Sequence, residues 1–174
     1  MSNSGDDVGP PKRVKDFHSI SKASVGQVLG LVEAVDETGG TADVATISRE
    51  VEMDIDRLGP ILAAAEFLGL LEVEDGDVRM TDLSRKLLSA SVRERKSIVR
   101  GIIDDLPVFR RVTEMARVAG RPLDRREVVD ALAANVGSHQ AEEVFKALVY
   151  WGRYVELVRY DSESELLSLR TPSK

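Results

Sequence analysis

The most constraining feature of this chain is an order that is written twice. Successive helical patterns end in a β-hairpin over Ser24 to Thr81, and the same order returns over Val92 to Arg170. Apolar residues three and four apart mark helices, and short β-branched runs closed by polar turns mark hairpins. Both copies change period around a glycine, in Phe67-Leu68-Gly69-Leu70-Leu71 and in Tyr150-Trp151-Gly152-Arg153-Tyr154. Three helices followed by a hairpin is the order of a winged helix. The predicted fold is therefore mainly α with two small β-hairpins, in a tandem winged-helix architecture. The expected division is a disordered N-terminal lead over 1–23, a first unit with a linking helix over 24–90, and a second unit over 91–174.

Local signals place the elements. Ser24 reads as an N-cap for a stripe of Val25, Val28, Leu29, Val32 and Val35 that stops at Gly39-Gly40. Asp43 caps a short second helix, and a third runs from about Asp56 to Leu68 with Pro60 near its first turn. A hairpin follows, turning tightly at Asp75-Gly76. A linking helix is expected over Asp82 to Ser89. Ser91 and Glu94 form a capping box for a long basic helix. Pro107 restarts the chain toward Gly120, Asp124 and Glu127 open a further helix, and Ser138 reads as the cap of the last one. Tyr154 to Tyr160 and Glu165 to Arg170 make the second hairpin.

Composition narrows the class. With 174 residues, 43% of them hydrophobic, the chain can bury a core, and with no cysteine it has neither disulfides nor thiolate chemistry. A cytoplasmic setting is expected, and no run is apolar and long enough to cross a membrane. The net charge of −6 is laid out unevenly. Residues 36–77 hold twelve acids against Arg49 and Arg57, whereas residues 79–126 hold thirteen bases against six acids. These charges either complement one another within the fold or form two distinct surfaces for a partner.

No catalytic pattern in the sequence is complete. Gly39-Gly40-Thr41 lacks the lysine of a phosphate loop. His18 and His139 have no ligand spacing between them. Ser19 and Lys22 match S-x-x-K without its companion motifs. The expectation is a protein that is not an enzyme, with no catalytic residue, metal or cofactor.

Several strings, taken in order, resemble the C-terminal AAA-associated domain. They are Gly30-Leu31-Val32-Glu33, Ala42-Asp43, Phe67 to Thr81, Glu94-Arg95-Lys96, Pro107 to Arg111, Trp151 to Tyr154, and Tyr160-Asp161. That domain follows the ATPase in ABC-transporter ATP-binding subunits of the nitrate, sulfonate and taurine type, and it also occurs free-standing. The resemblance implies an accessory domain acting on an ATPase or transporter subunit in trans, because the phosphate loop of the ATPase half is missing from this sequence.

Two residue groups follow. Arg93, Arg95, Lys96, Arg100, Arg110 and Arg111 are the candidate partner-binding set, since like charges three and four apart on one helix cost folding energy unless something answers them. Gly69, Asp75, Gly76, Trp151, Gly152, Arg153 and Tyr154 are the structural set. Trp151 and Tyr154 are read as core packing, and the glycines as needing positive φ or close approach. Arg153 is expected to meet an acid or terminal carbonyls. The leading function is a regulatory protein-interaction module, with a homo-oligomer left open. The alternative is a winged-helix DNA-binding regulator. Acids in the first wing (Glu72, Glu74, Asp75, Asp77) and few bases on the candidate recognition helices weigh against it.

Overall fold

The computed structural model describes residues 17–170. It opens on a 3-10 helix, Phe17–Lys22, then runs through helix α1 (Val25–Glu37), strand β1 (Thr41–Asp43), α2 (Val44–Glu50), α3 (Ile55–Phe67), β2 (Leu71–Glu74) and β3 (Asp77–Met80). Two connecting helices follow, α4 (Asp82–Ser89) and α5 (Val92–Asp104). The opening order then repeats as α6 (Pro107–Ala119), β4 (Leu123–Asp124), α7 (Arg125–Val136), α8 (Ser138–Tyr154), β5 (Val158–Asp161) and β6 (Leu166–Leu169). The described chain is mainly helical with two antiparallel sheets of three strands, ordered β1-β3-β2 and β4-β6-β5.

Each sheet is one strand wider than the expected hairpin. β1 and β4 are too short to carry a period of their own, and long-range pairing holds them: Thr41 sits opposite Arg79, and Leu123 opposite Leu167. The repeated order starts at Pro107 rather than Val92, because α5 has no counterpart before β1.

Helix starts follow their caps. Ser24 and Gln27, Ser91 and Glu94, and Asp124 and Glu127 form reciprocal boxes, and the Asp43 carboxylate accepts from the Thr46 N–H at 2.7 Å. Two caps differ from expectation. Asp54, not Asp56, opens α3, which places Pro60 inside the helix, where its ring denies the Asp56 carbonyl an N–H partner. Gly137 occupies the N-cap of α8 with no side-chain bond, so Ser138 is the first helical residue instead of the cap.

The two helix-to-hairpin corners are superposable in hydrogen bonding but not at the residues the sequence suggested. After α3, Gly69 donates to the Glu66 carbonyl and Leu70 to that of Ala65, with Gly69 at φ +77°. After α8, Glu156 donates to Arg153 and Leu157 to Gly152, with Glu156 at φ +59°. Both are Schellman motifs, so Glu156 is the counterpart of Gly69. Gly152 lies within α8, which runs on to Tyr154 instead of ending near Trp151. Its glycine answers to close approach: a β carbon there would stand 2.6 Å from Val158 Cγ2. Asp75 and Gly76 both take positive φ, as a two-residue hairpin turn requires.

The expected disordered lead, 1–23, falls mostly outside the described residues. Its last part is ordered: Ile20 and Ala23 are buried, and Ile20 enters the same continuous core as both repeats. The 3-10 helix packs on α3 and on α8, and α5 also packs on α8. Trp151 is buried beneath this junction, and its Nε1 donates to the Ile20 carbonyl at 3.2 Å.

Candidate interaction surface

The six bases that the sequence singled out differ in their surroundings. Helix α5 turns Val99 and Ile103 into the core. Arg95 is used internally: its guanidinium reaches the Glu33 carboxylate on α1 at 3.4 Å and donates to the Leu88 carbonyl at the end of α4 at 3.0 Å. Arg110 pairs with Asp105 at the corner between α5 and α6. Arg93 and Arg111 are exposed and Arg100 is half-buried, and among the described residues none of the three makes an ion pair. Lys96, one turn from both Arg93 and Arg100, places its ammonium 5.8 Å from the centroid of the Tyr154 ring on α8. That distance lies within cation–π reach.

The structural set is better placed. Trp151 fills the core, and Arg153 donates to the Tyr160 carbonyl on β5 at 2.6 Å, fastening the second hairpin to α8. Tyr154 differs from the expected core plug. It is half-buried on the helix surface, where burial pushes its phenol above the ordinary range while Arg95 opposes that shift.

Two concavities adjoin these residues. A groove of about 1200 Å³ lies between the end of α3, α4, α5 and α6, with Leu83, Ile98 and Ile102 along its floor. Its rim charges are answered locally, Arg110 by Asp105 and Arg117 by Glu114, so it presents no dominant sign. The second, of about 590 Å³, lies on α8 and β5. Tyr150, Tyr154 and Tyr160 line it with Phe145 and Val149, and Lys146 and Arg153 are its charged members. Sequence reading missed this tyrosine pocket. Its signal was present in the spacing, because Lys146, Tyr150, Arg153 and Tyr154 fall four, seven and eight residues along one helical stripe.

In the first unit, the helix and hairpin that would face DNA are acidic or self-paired. Arg57 on α3 is flanked by exposed Asp56, and Arg79 on the first hairpin is paired with Glu74 at 2.6 Å. Among the described residues no group of three or more histidines and carboxylates could hold a metal ion, and no helix is long and apolar enough to cross a membrane.

Residues 45–161 match the family model of the C-terminal AAA-associated domain. The match runs from the first turn of α2 to the end of β5 and includes both α5 and the tyrosine pocket. No curated protein and no solved structure matches the chain.

Proposed function

Because this chain belongs to the C-terminal AAA-associated domain family, we propose that it is a non-catalytic accessory module that docks onto an ABC-type ATPase or transporter subunit and regulates it in trans from the cytoplasm. The helix-strand-helix-helix-hairpin order, with the first strand pairing beside the last, supports reading it as two winged-helix units. The first unit takes residues 24–90. The second takes 91–174, with α5 as its leading helix because α5 packs on α8.

One observation carries the docking proposal. Arg93, Lys96 and Arg100 lie on one stripe of α5, and no carboxylate among the described residues forms an ion pair with any of them. Like charges at this spacing disfavour the helix. An acidic partner surface would relieve that cost and speed encounter. A DNA-binding regulator finds no comparable support, given the acidic first hairpin.

The test is recovery of partners from native lysate by tagged wild type and by an Arg93→Glu/Arg100→Glu double variant. The expected result is an ABC-type ATP-binding or permease subunit that the wild type captures and the variant does not. Equal capture of the same proteins by both would remove the stripe from the account.

A further inference from the structure

We infer that the tyrosine pocket on α8 and β5 is the specificity site of this docking surface, and that it takes a short acidic segment of the partner with one bulky apolar side chain seated among the rings. The inference rests on the docking reading above and names the chemistry of the segment that is held.

The pocket is a poor piece of core and a good anchor site. Tyr150 is 47% exposed although it is large and apolar, and Tyr154 and Tyr160 are each only half-buried. None of the three hydroxyls makes a hydrogen bond with another described residue. A tyrosine kept for packing buries its ring and pairs its hydroxyl; here Tyr154 and Tyr160 pack only in part against the core, Tyr150 is exposed, and no hydroxyl of the three is paired among the described residues. Phe145 packs edge-on against Tyr160 at 5.3 Å between centroids, which gives the site a rigid floor. Tyrosine and arginine are among the residues enriched in interface hot spots.

The charges select the occupant. Lys146 and Arg153 line the pocket, no carboxylate does, and Lys96 lies over the ring of Tyr154, one of the lining residues. Lys96 also belongs to the α5 stripe, so its contact with Tyr154 links the pocket to the helix that carries Arg93 and Arg100. A nucleic acid strand could stack on tyrosines too. However, although Glu142 and Glu143, one turn before Lys146, are ion-paired with Arg125 and Lys22, Asp161, Glu163 and Glu165 stand exposed at the end of β5 and in the turn after it. A long phosphate backbone would have to cross those acids, whereas a short peptide places its few carboxylates only on the three cations.

The probe is a synthetic peptide with a single tryptophan between glutamates, titrated to millimolar concentration into the full chain carrying labelled tyrosine rings and followed by NMR. Three controls accompany it: the tryptophan replaced by alanine, the glutamates replaced by lysine, and a single-stranded DNA oligonucleotide. The expected result is that only the first peptide shifts the Tyr150, Tyr154 and Tyr160 rings together. Tyr150→Ala should weaken it by about tenfold or more, and Tyr150→Phe should largely retain it. Because Tyr150 is exposed, both variants should melt as the wild type does. Absence of shifts, equal binding of the lysine peptide, or preferential binding of the oligonucleotide would each overturn the inference. So would ring shifts that follow protein concentration without peptide, which would assign the pocket to a second copy of the chain. The docking reading fails separately: selective binding of the peptide, together with undiminished partner capture by Arg93→Glu/Arg100→Glu, would keep the pocket and discard the stripe.

Discussion

The indole of Trp151 donates to the carbonyl of Ile20 at 3.2 Å, joining the last helix to a 3-10 turn more than a hundred residues earlier in the chain. Both side chains are buried, and the turn they secure also packs on α3. Residues 17–23 are therefore structural. Ile20→Ala should cost about 3 kcal/mol and Trp151→Ala about 4 kcal/mol. Trp151→Phe, which keeps a ring but leaves the carbonyl without its donor, should cost about 2 kcal/mol. Urea unfolding of the three variants checks this ordering, and an Ile20→Ala value near zero would detach the turn from the core.

The corner after α8 gives two substitutions of opposite sign. Gly152→Ala improves intrinsic helix propensity, yet its methyl would stand 2.6 Å from Val158 Cγ2. A net loss of about 1–2 kcal/mol is expected, since overpacking outweighs a propensity gain of about 1 kcal/mol. Glu156→Gly should stabilise by about 1 kcal/mol, because Glu156 holds the left-handed conformation that glycine takes at the equivalent position, Gly69. Combining Gly152→Ala with Val158→Ala should recover part of the loss. Additive costs in that double-mutant cycle would contradict the steric explanation.

The same corner shows what the sequence disclosed and what it did not. Helices and most of their caps were legible because they rest on local spacing, as with Ser91 and Glu94 or Asp124 and Glu127. β1 and β4 were not, since each is too short to show a period and pairs with a strand far along the chain. Gly152 matched Gly69 by eye because both precede a hairpin, but one glycine serves backbone conformation and the other serves contact with Val158, a distinction that sequence does not encode. The basic set was recognised as a group and divided by the fold, which directs Arg95 inward and Arg110 to Asp105. Tyr154 reads as core in the sequence because aromatic residues at corners usually are, and the fold leaves it half-buried on the helix surface. The stripe from Lys146 to Tyr154 was the missed signal.

Arg95 and its neighbours on α5 should separate stability from binding. Arg95→Ala removes the contacts to Glu33 and to the Leu88 carbonyl and should cost about 1 kcal/mol, the exposure of Glu33 limiting the ion-pair share. Arg93→Glu and Arg100→Glu should each stay within about 0.5 kcal/mol of wild type. Thermal melts of the three variants test this. A large loss for Arg93→Glu or Arg100→Glu would mean that the stripe is answered within the fold.

Acid should weaken the fold through identifiable carboxylates. Backbone N–H groups hold Asp43 and Asp161 below the ordinary carboxylate range: that of Thr46 donates to the first, and those of Glu163 and Ser164 donate to the second. Arg121 does the same for Glu127. Because these folded-state values are lowered, their contribution is complete above the unfolded pKa of about 4 and is lost as pH falls through the lowered values. The melting temperature should be flat from neutral pH to about 5 and fall below about 4. Asp43→Asn, an equally good cap without the charge, should match wild type at neutral pH and show a shallower acid decline. An identical decline in both proteins would remove Asp43 from this explanation.

The most direct test of the docking account is the salt dependence of binding between the captured partner and this chain, measured by biolayer interferometry for wild type and Arg93→Glu/Arg100→Glu. The account predicts that the wild-type association rate falls steeply with added salt, that the double variant binds at least about tenfold more weakly at low salt, and that both proteins melt at nearly the same temperature. Equal affinities with the same salt response in the two proteins would contradict it.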